Sequence, residues 1–158
     1  MGRLGALAVL AVLGACALPP PAPGTARDDV LRTWGRPSAR YTLPAGERLE
    51  YATGPNGRTT WMIDVDGAGR VTRSRQVLNE LEFEAVQASS LTADQLLMRL
   101  GTPGERKSGG YAGGQVWSWR YPTNDCLWFQ SSVAEDGHVT GSAYAVDPAC
   151  DARDQGRP

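Results

Sequence analysis

The residue types that carry most enzyme chemistry are few in this chain and do not fall at catalytic spacings. A nucleophilic triad would have to use the single histidine, His138, which sits beside a predicted hairpin turn, and no Gly-x-Ser-x-Gly elbow precedes it. Asp64 and Asp66 before Gly67 form the start of a calcium-loop pattern, but the later oxygen ligands and the bidentate Glu are missing, so a hairpin turn accounts for them. Ser108 to Gly114 is rich in glycine, yet no Lys-Ser/Thr follows and the run leads into a strand, which argues against a phosphate loop. These readings predict a non-catalytic protein that needs no metal and no cofactor.

The first residues give an address. Arg3 supplies a positive start and Leu4 to Leu13 an apolar stretch far shorter than the roughly 20 residues of a spanning helix, the pattern of an export signal. It closes on Leu13-Gly14-Ala15-Cys16, which resembles the lipobox of bacterial lipoproteins. The resemblance implies that residues 1–15 are a signal peptide and that Cys16 becomes the mature N-terminus, carrying a diacylglycerol on its thiol. Ala17 in place of Asp implies transport to the outer membrane, on its periplasmic face. Residues 16–24 then read as the lipidated cysteine and a proline-rich spacer, since Pro19, Pro20, Pro21 and Pro23 favour an extended, semi-rigid chain; a proline-rich ligand is the alternative.

Two cysteines remain, Cys126 and Cys150. In an oxidising periplasm an even remainder reads as one disulfide, with a metal pair or two buried thiols as the alternatives. No CxxC spacing exists and His138 has no evident fellow ligands, which leaves the metal reading weak.

Of 158 residues 41% are hydrophobic and 21% charged, a globular composition, and 16 basic against 17 acidic residues leave a net charge of −1. No strong field points to nucleic acid or, apart from the lipid, to a membrane surface. The chain repeats itself. Val30 to Pro37 aligns with Leu96 to Pro103, both ending in Gly-x-Pro, at an offset of 66 (101 − 35). Gly46 to Tyr51 aligns with Gly114 to Trp119, and Gly69 to Thr72 with Gly137 to Thr140, at an offset of 68 (114 − 46). The extra two residues fall in the Ser108–Gly114 loop, where insertion costs little.

The predicted fold class is α+β: two tandem units, each a helix plus a three-stranded antiparallel sheet, over residues 25–78 and 79–150, with 151–158 a disordered tail. Thr25 is expected to cap the first helix and Thr92 the second, and Leu78 to Ala88 to form an extra helix. Asn56-Gly57 reads as a two-residue hairpin turn. Alternation places Leu49, Tyr51, Trp61, Ile63, Val65, Trp117, Trp119, Tyr121, Leu127 and Phe129 towards the helices. It leaves Arg48, Glu50, Met62 and Asp64, with Arg120, Trp128 and Tyr144, on an open face. Trp128, Tyr144, Arg120 and Met62 are therefore the candidate partner-binding residues, two aromatic anchors beside a guanidinium.

With the lipobox, the linker and the motifs Gly35-x-Pro37 and Gly101-x-Pro103 followed by strands with a central aromatic, the chain resembles the BamE/SmpA/OmlA-type small outer-membrane lipoproteins. In duplicate, the unit resembles the tandem fold of the β-lactamase inhibitor proteins (BLIP-like). The resemblance spans about Thr25 to Val146 and implies an envelope-integrity or assembly role with an envelope protein as partner. The alternatives are an inhibitor-like protein that binds a periplasmic enzyme, or a small-molecule binder between the two repeats.

Overall fold

A computed structural model describes residues 18–109 and 113–150; the expected signal peptide, Cys16 and the tail 151–158 lie outside the described residues. The first half runs α1 (Arg27–Trp34), β1 (Ala39–Leu43), β2 (Gly46–Ala52), β3 (Thr60–Asp66) and β4 (Val71–Gln76). The second runs α2 (Glu80–Gln87), α3 (Ala93–Leu100), β5 (Glu105–Ser108), β6 (Gln115–Arg120), β7 (Leu127–Val133) and β8 (Val139–Val146). The fold is α+β, with two four-stranded antiparallel sheets, β1-β2-β3-β4 and β5-β6-β7-β8, in tandem. Each sheet has one strand more than expected. The added strands are β1 and the fully exposed β5, whose Glu-Arg-Lys-Ser sequence has no apolar alternation to reveal it.

The internal repeat is written in hydrogen bonds. Tyr51 donates its hydroxyl to the Gly35 carbonyl at 3.0 Å, and at the matching place the Trp119 indole donates to the Gly101 carbonyl at 3.0 Å. Arg27 N–H reaches the Gly69 carbonyl as Ala93 N–H reaches that of Gly137. The register shifts at Asp64/Val65 and at Ser132/Val133, again in matching positions. Gly35 (φ 76°, ψ −157°) and Gly101 (φ 82°, ψ −172°) end their helices in a backbone region almost confined to glycine, which is why the Gly-x-Pro motif occurs twice.

Caps differ between the units. Thr92 accepts from Gln95 N–H while the Gln95 side chain accepts from Thr92 N–H, a complete capping box, and Asn79 caps α2. Thr25 does not cap α1: the position matching Thr92 is Ala26, which pairs with Arg70 as Thr92 pairs with His138 and has no side chain to accept a bond. Nor is Asn56-Gly57 a two-residue hairpin. The β2–β3 loop runs from Thr53 to Thr59, with Gly57 N–H bonded to the Gly54 carbonyl. The spacer also ends sooner than expected: Gly24 N–H bonds the Val71 carbonyl at 2.7 Å, and Ser74 donates to the Pro21 carbonyl at 2.7 Å, so Pro21 to Gly24 lie along β4.

The layers explain which face is open. Val30 of α1 packs on Leu49, Tyr51, Ile63, Val65 and Val71, one face of the first sheet. Its other face, expected to be open, carries Met62, which joins Phe83 and Val86 of α2, Leu96 and Leu100 of α3, and Trp117, Trp119 and Phe129 of the second sheet in one cluster. The two helices are thus covered by a sheet on each side. Across this contact Glu50, fully buried, accepts from the Tyr41 hydroxyl at 2.6 Å and from Thr102 N–H at 3.0 Å. Arg48 chelates Asp64 at 2.5 and 2.9 Å and donates to the Met98 carbonyl at the end of α3.

Candidate functional site

The structure does not bring the four expected face residues together. Met62 has no exposed surface; it is core between the first sheet and the helices. Tyr144 lies on the face opposite Trp128, because the shift at Ser132/Val133 reverses the phase of β8 and sets Tyr144 across from Phe129. Its ring stands 5.6 Å from Phe129, 6.0 Å from Tyr121 and 6.1 Å from Phe83, and it is 37% exposed.

Trp128 and Arg120 do meet, but as a closed structure. Trp128 is 4% exposed, and the Arg120 guanidinium lies 5.1 Å from its ring centroid. Arg120 gives Nε and Nη2 to the two oxygens of Asp147 at 2.6 and 2.8 Å, and Nη1 to the Pro55 carbonyl at 3.0 Å. Those hydrogen bonds hold the Asp147 carboxyl below the usual carboxylate range and raise the Arg120 guanidinium. Asp147 N–H in turn bonds the Cys126 carbonyl, and Cys150 N–H the Asp147 carbonyl. Cys126 and Cys150 are disulfide-bonded, with Cα atoms 6.0 Å apart. Cys126 sits at φ 53°, a left-handed conformation that a side chain adopts at a cost of about 1–3 kcal/mol and that the surrounding bonds must hold. The site read from sequence is a latch that closes the C-terminal turn over Trp128.

The accessible polar edge lies elsewhere, on β8. Its neighbour β7 occupies one side, and Asp147 N–H points to β7, so by antiparallel alternation the backbone groups of Ser142, Tyr144 and Val146 point outward. Only the Ser142 carbonyl has a partner there among the described residues, the Gln87 side chain at 3.2 Å. The other edge regions carry charge: Arg40 on β1, Arg73 and Arg75 on β4, and Glu105, Arg106 and Lys107 on β5. β8 reads Val-Thr-Gly-Ser-Ala-Tyr-Ala-Val, with no charge and no proline. Tyr144 and Val146 on β8, and Leu81 on α2, are exposed. The signal for this edge was present in the sequence as the uncharged run, which alternation analysis does not score.

Among the described residues no group of three or more His, Cys, Asp or Glu could hold a metal ion, and no helix is long and apolar enough to cross a membrane. Comparison of the chain with protein-family models, with curated proteins and with solved structures gives no match.

Proposed function

We propose that this chain is a non-catalytic lipoprotein, anchored through Cys16 at the periplasmic face of the outer membrane, that binds an extended segment of another envelope protein along β8. The observation that carries the binding half is the uncharged edge of β8, which among the described residues has an outward partner only at the Ser142 carbonyl and which exposes Tyr144 and Val146. Exposed edges of this kind pair with another strand unless charge, proline or a cover blocks them. The anchoring half rests on the lipobox Leu13-Gly14-Ala15-Cys16.

Both halves are testable on the full chain in its envelope. A photo-crosslinking residue at Ala143 on β8 is expected to give an adduct with one envelope protein, and the same residue at Lys107 on β5 is not. Ala143→Lys should weaken recovery of that partner at least tenfold while the protein stays folded. Absence of an Ala143 adduct, or an equal one from Lys107, overturns the binding half. Cys16→Ser should abolish lipid labelling and leave an unprocessed precursor; normal labelling overturns the anchor.

A further inference from the structure

Between the two sheets a recess of 280 Å³ is lined by Arg48 of β2, Arg75 of β4, and Leu91, Gln95, Met98 and Arg99 on and before α3. Four other clefts of the described residues each include at least one carboxylate: Asp28, Glu47 and Asp66 in the first, Asp94, Glu80 and Asp147 in the others. This one has none in its lining. Three guanidinium groups from three elements face it.

The groups around it are unequally satisfied. Arg48 is fully engaged, by Asp64 and by the Met98 carbonyl. Arg75 gives Nη1 to Glu82 at 2.6 Å, and Arg99 Nε stands 3.0 Å from the other Glu82 oxygen. One carboxylate therefore serves two arginines. Arg75 Nε, Arg99 Nε and Glu82 Oε2 are buried without a geometrically sound hydrogen bond, and among the described residues no partner is found for Arg75 Nη2 or for either Arg99 Nη. Gln95 spends its oxygen on Thr92 N–H in the capping box, which leaves its amide N–H₂ as a donor. Arg73, in register with Asp64 on the same face, adds a fourth positive charge against the two carboxylates Asp64 and Glu82. On the lining itself the uncommitted groups, Arg75 Nη2, the Arg99 Nη atoms and the Gln95 amide, are donors; behind them Glu82 Oε2 faces Arg99 Nε, four guanidinium groups stand against two carboxylates, and Leu91 and Met98 supply an apolar wall.

We propose that this recess binds the phosphate group of a small soluble molecule, with Arg75, Arg99 and Gln95 donating to its oxygens and an organic body resting on Leu91 and Met98. Guanidinium forks match a tetrahedral oxyanion, which offers several acceptors at once. The volume lies just under the range of drug-sized pockets, which fits a small ester and not a large cofactor. The site draws on both halves of the chain, so a ligand there would also hold the two sheets together. It stands apart from the β8 edge and does not depend on the reading of that edge.

The test titrates inorganic phosphate and phenyl phosphate into the full chain and follows the arginine Nε–Hε resonances with the melting temperature. Saturable shifts of Arg75 and Arg99, a raised melting temperature, and tighter binding of phenyl phosphate than of inorganic phosphate are expected. Arg99→Gln should weaken phenyl phosphate at least tenfold. Gln95→Glu gives a second variant that keeps a capping-box residue, and so the helix, while turning a donor into an anion; it should weaken binding by a similar factor. Unmoved Arg75 and Arg99 resonances at high phosphate, binding unchanged in a folded Gln95→Glu protein, or binding seen only with vesicles containing an anionic phospholipid would each overturn the proposal.

Discussion

Trp128 shows how a buried aromatic can imitate a binding anchor in sequence. It alternates onto the face away from the helices, yet its ring is covered because Arg120 lies across it, fixed by Asp147, which the C-terminal turn holds in place. Trp128→Ala would remove a nearly fully buried side chain and leave a cavity under that latch, so a loss of about 3–5 kcal/mol is expected in denaturant melts. A change below about 1 kcal/mol would place Trp128 on an accessible face after all. Asp147 adds a pH dependence whose sign is fixed. Its folded carboxyl lies below the usual range, chiefly through the Arg120 hydrogen bond, so the pair stabilises fully above the unfolded pKa. That contribution is lost as pH falls through the lower folded value. Asp147→Asn is therefore expected to reduce stability at neutral pH and to converge with the wild type in strong acid; parallel acid limbs in the two melting series would contradict the pairing.

At the level of elements, what the sequence reveals follows from how much each strand buries. β2, β3, β6 and β7 sit inside their sheets, and Leu49, Ile63, Trp119 and Phe129 mark the face that packs on helices; the second face is buried too, at Glu50, Met62, Ser118 and Trp128, and alternation in the sequence cannot show that cover. β1 and β5 are edges; β5, Glu-Arg-Lys-Ser, is wholly exposed and gives no period, whereas β1 alternates Ala39, Tyr41 and Leu43 with exposed Arg40 and Thr42 over only five residues. Tyr144 lies, for a different reason, on the face opposite to the one alternation predicts: a one-residue shift at Ser132/Val133 is silent in composition but reverses every later side chain of β8. The helix ends were the clearest signal, because Gly-x-Pro serves a backbone that other residues resist. Gly101 adds a steric demand: a Cβ there would stand 2.8 Å from Thr60 Cγ2 and 3.0 Å from Glu50 Cδ. Gly101→Ala should therefore cost more than Gly35→Ala, where no atom lies within 4 Å of the added Cβ. The backbone penalty alone is about 1–3 kcal/mol at each position. Equal losses in thermal melts of the two variants would show that the contact with Glu50 and Thr60 relaxes freely.

The molecule as a whole is two repeats but not two independent bodies. Met62 and Val77 from the first half share a cluster with Phe83, Leu96, Trp119 and Phe129 from the second, and Arg120 of β6 reaches back to the Pro55 carbonyl in the first half's loop. The disulfide is tied into that coupling. Here Cys126–Cys150 fixes the turn that holds Asp147, Asp147 holds Arg120, and Arg120 holds the β2–β3 loop. With a sequence separation of 24, the bond should contribute about 3 kcal/mol by restricting the unfolded chain. For a domain of this size that corresponds to roughly 6–12 °C in melting temperature. Calorimetry of the oxidised and reduced protein should then show one cooperative transition in each state, displaced downward on reduction. A second transition appearing on reduction would mean that the shared helices do not couple the sheets, and an unmoved transition with both thiols titratable would mean that the C-terminal turn is held without the bond.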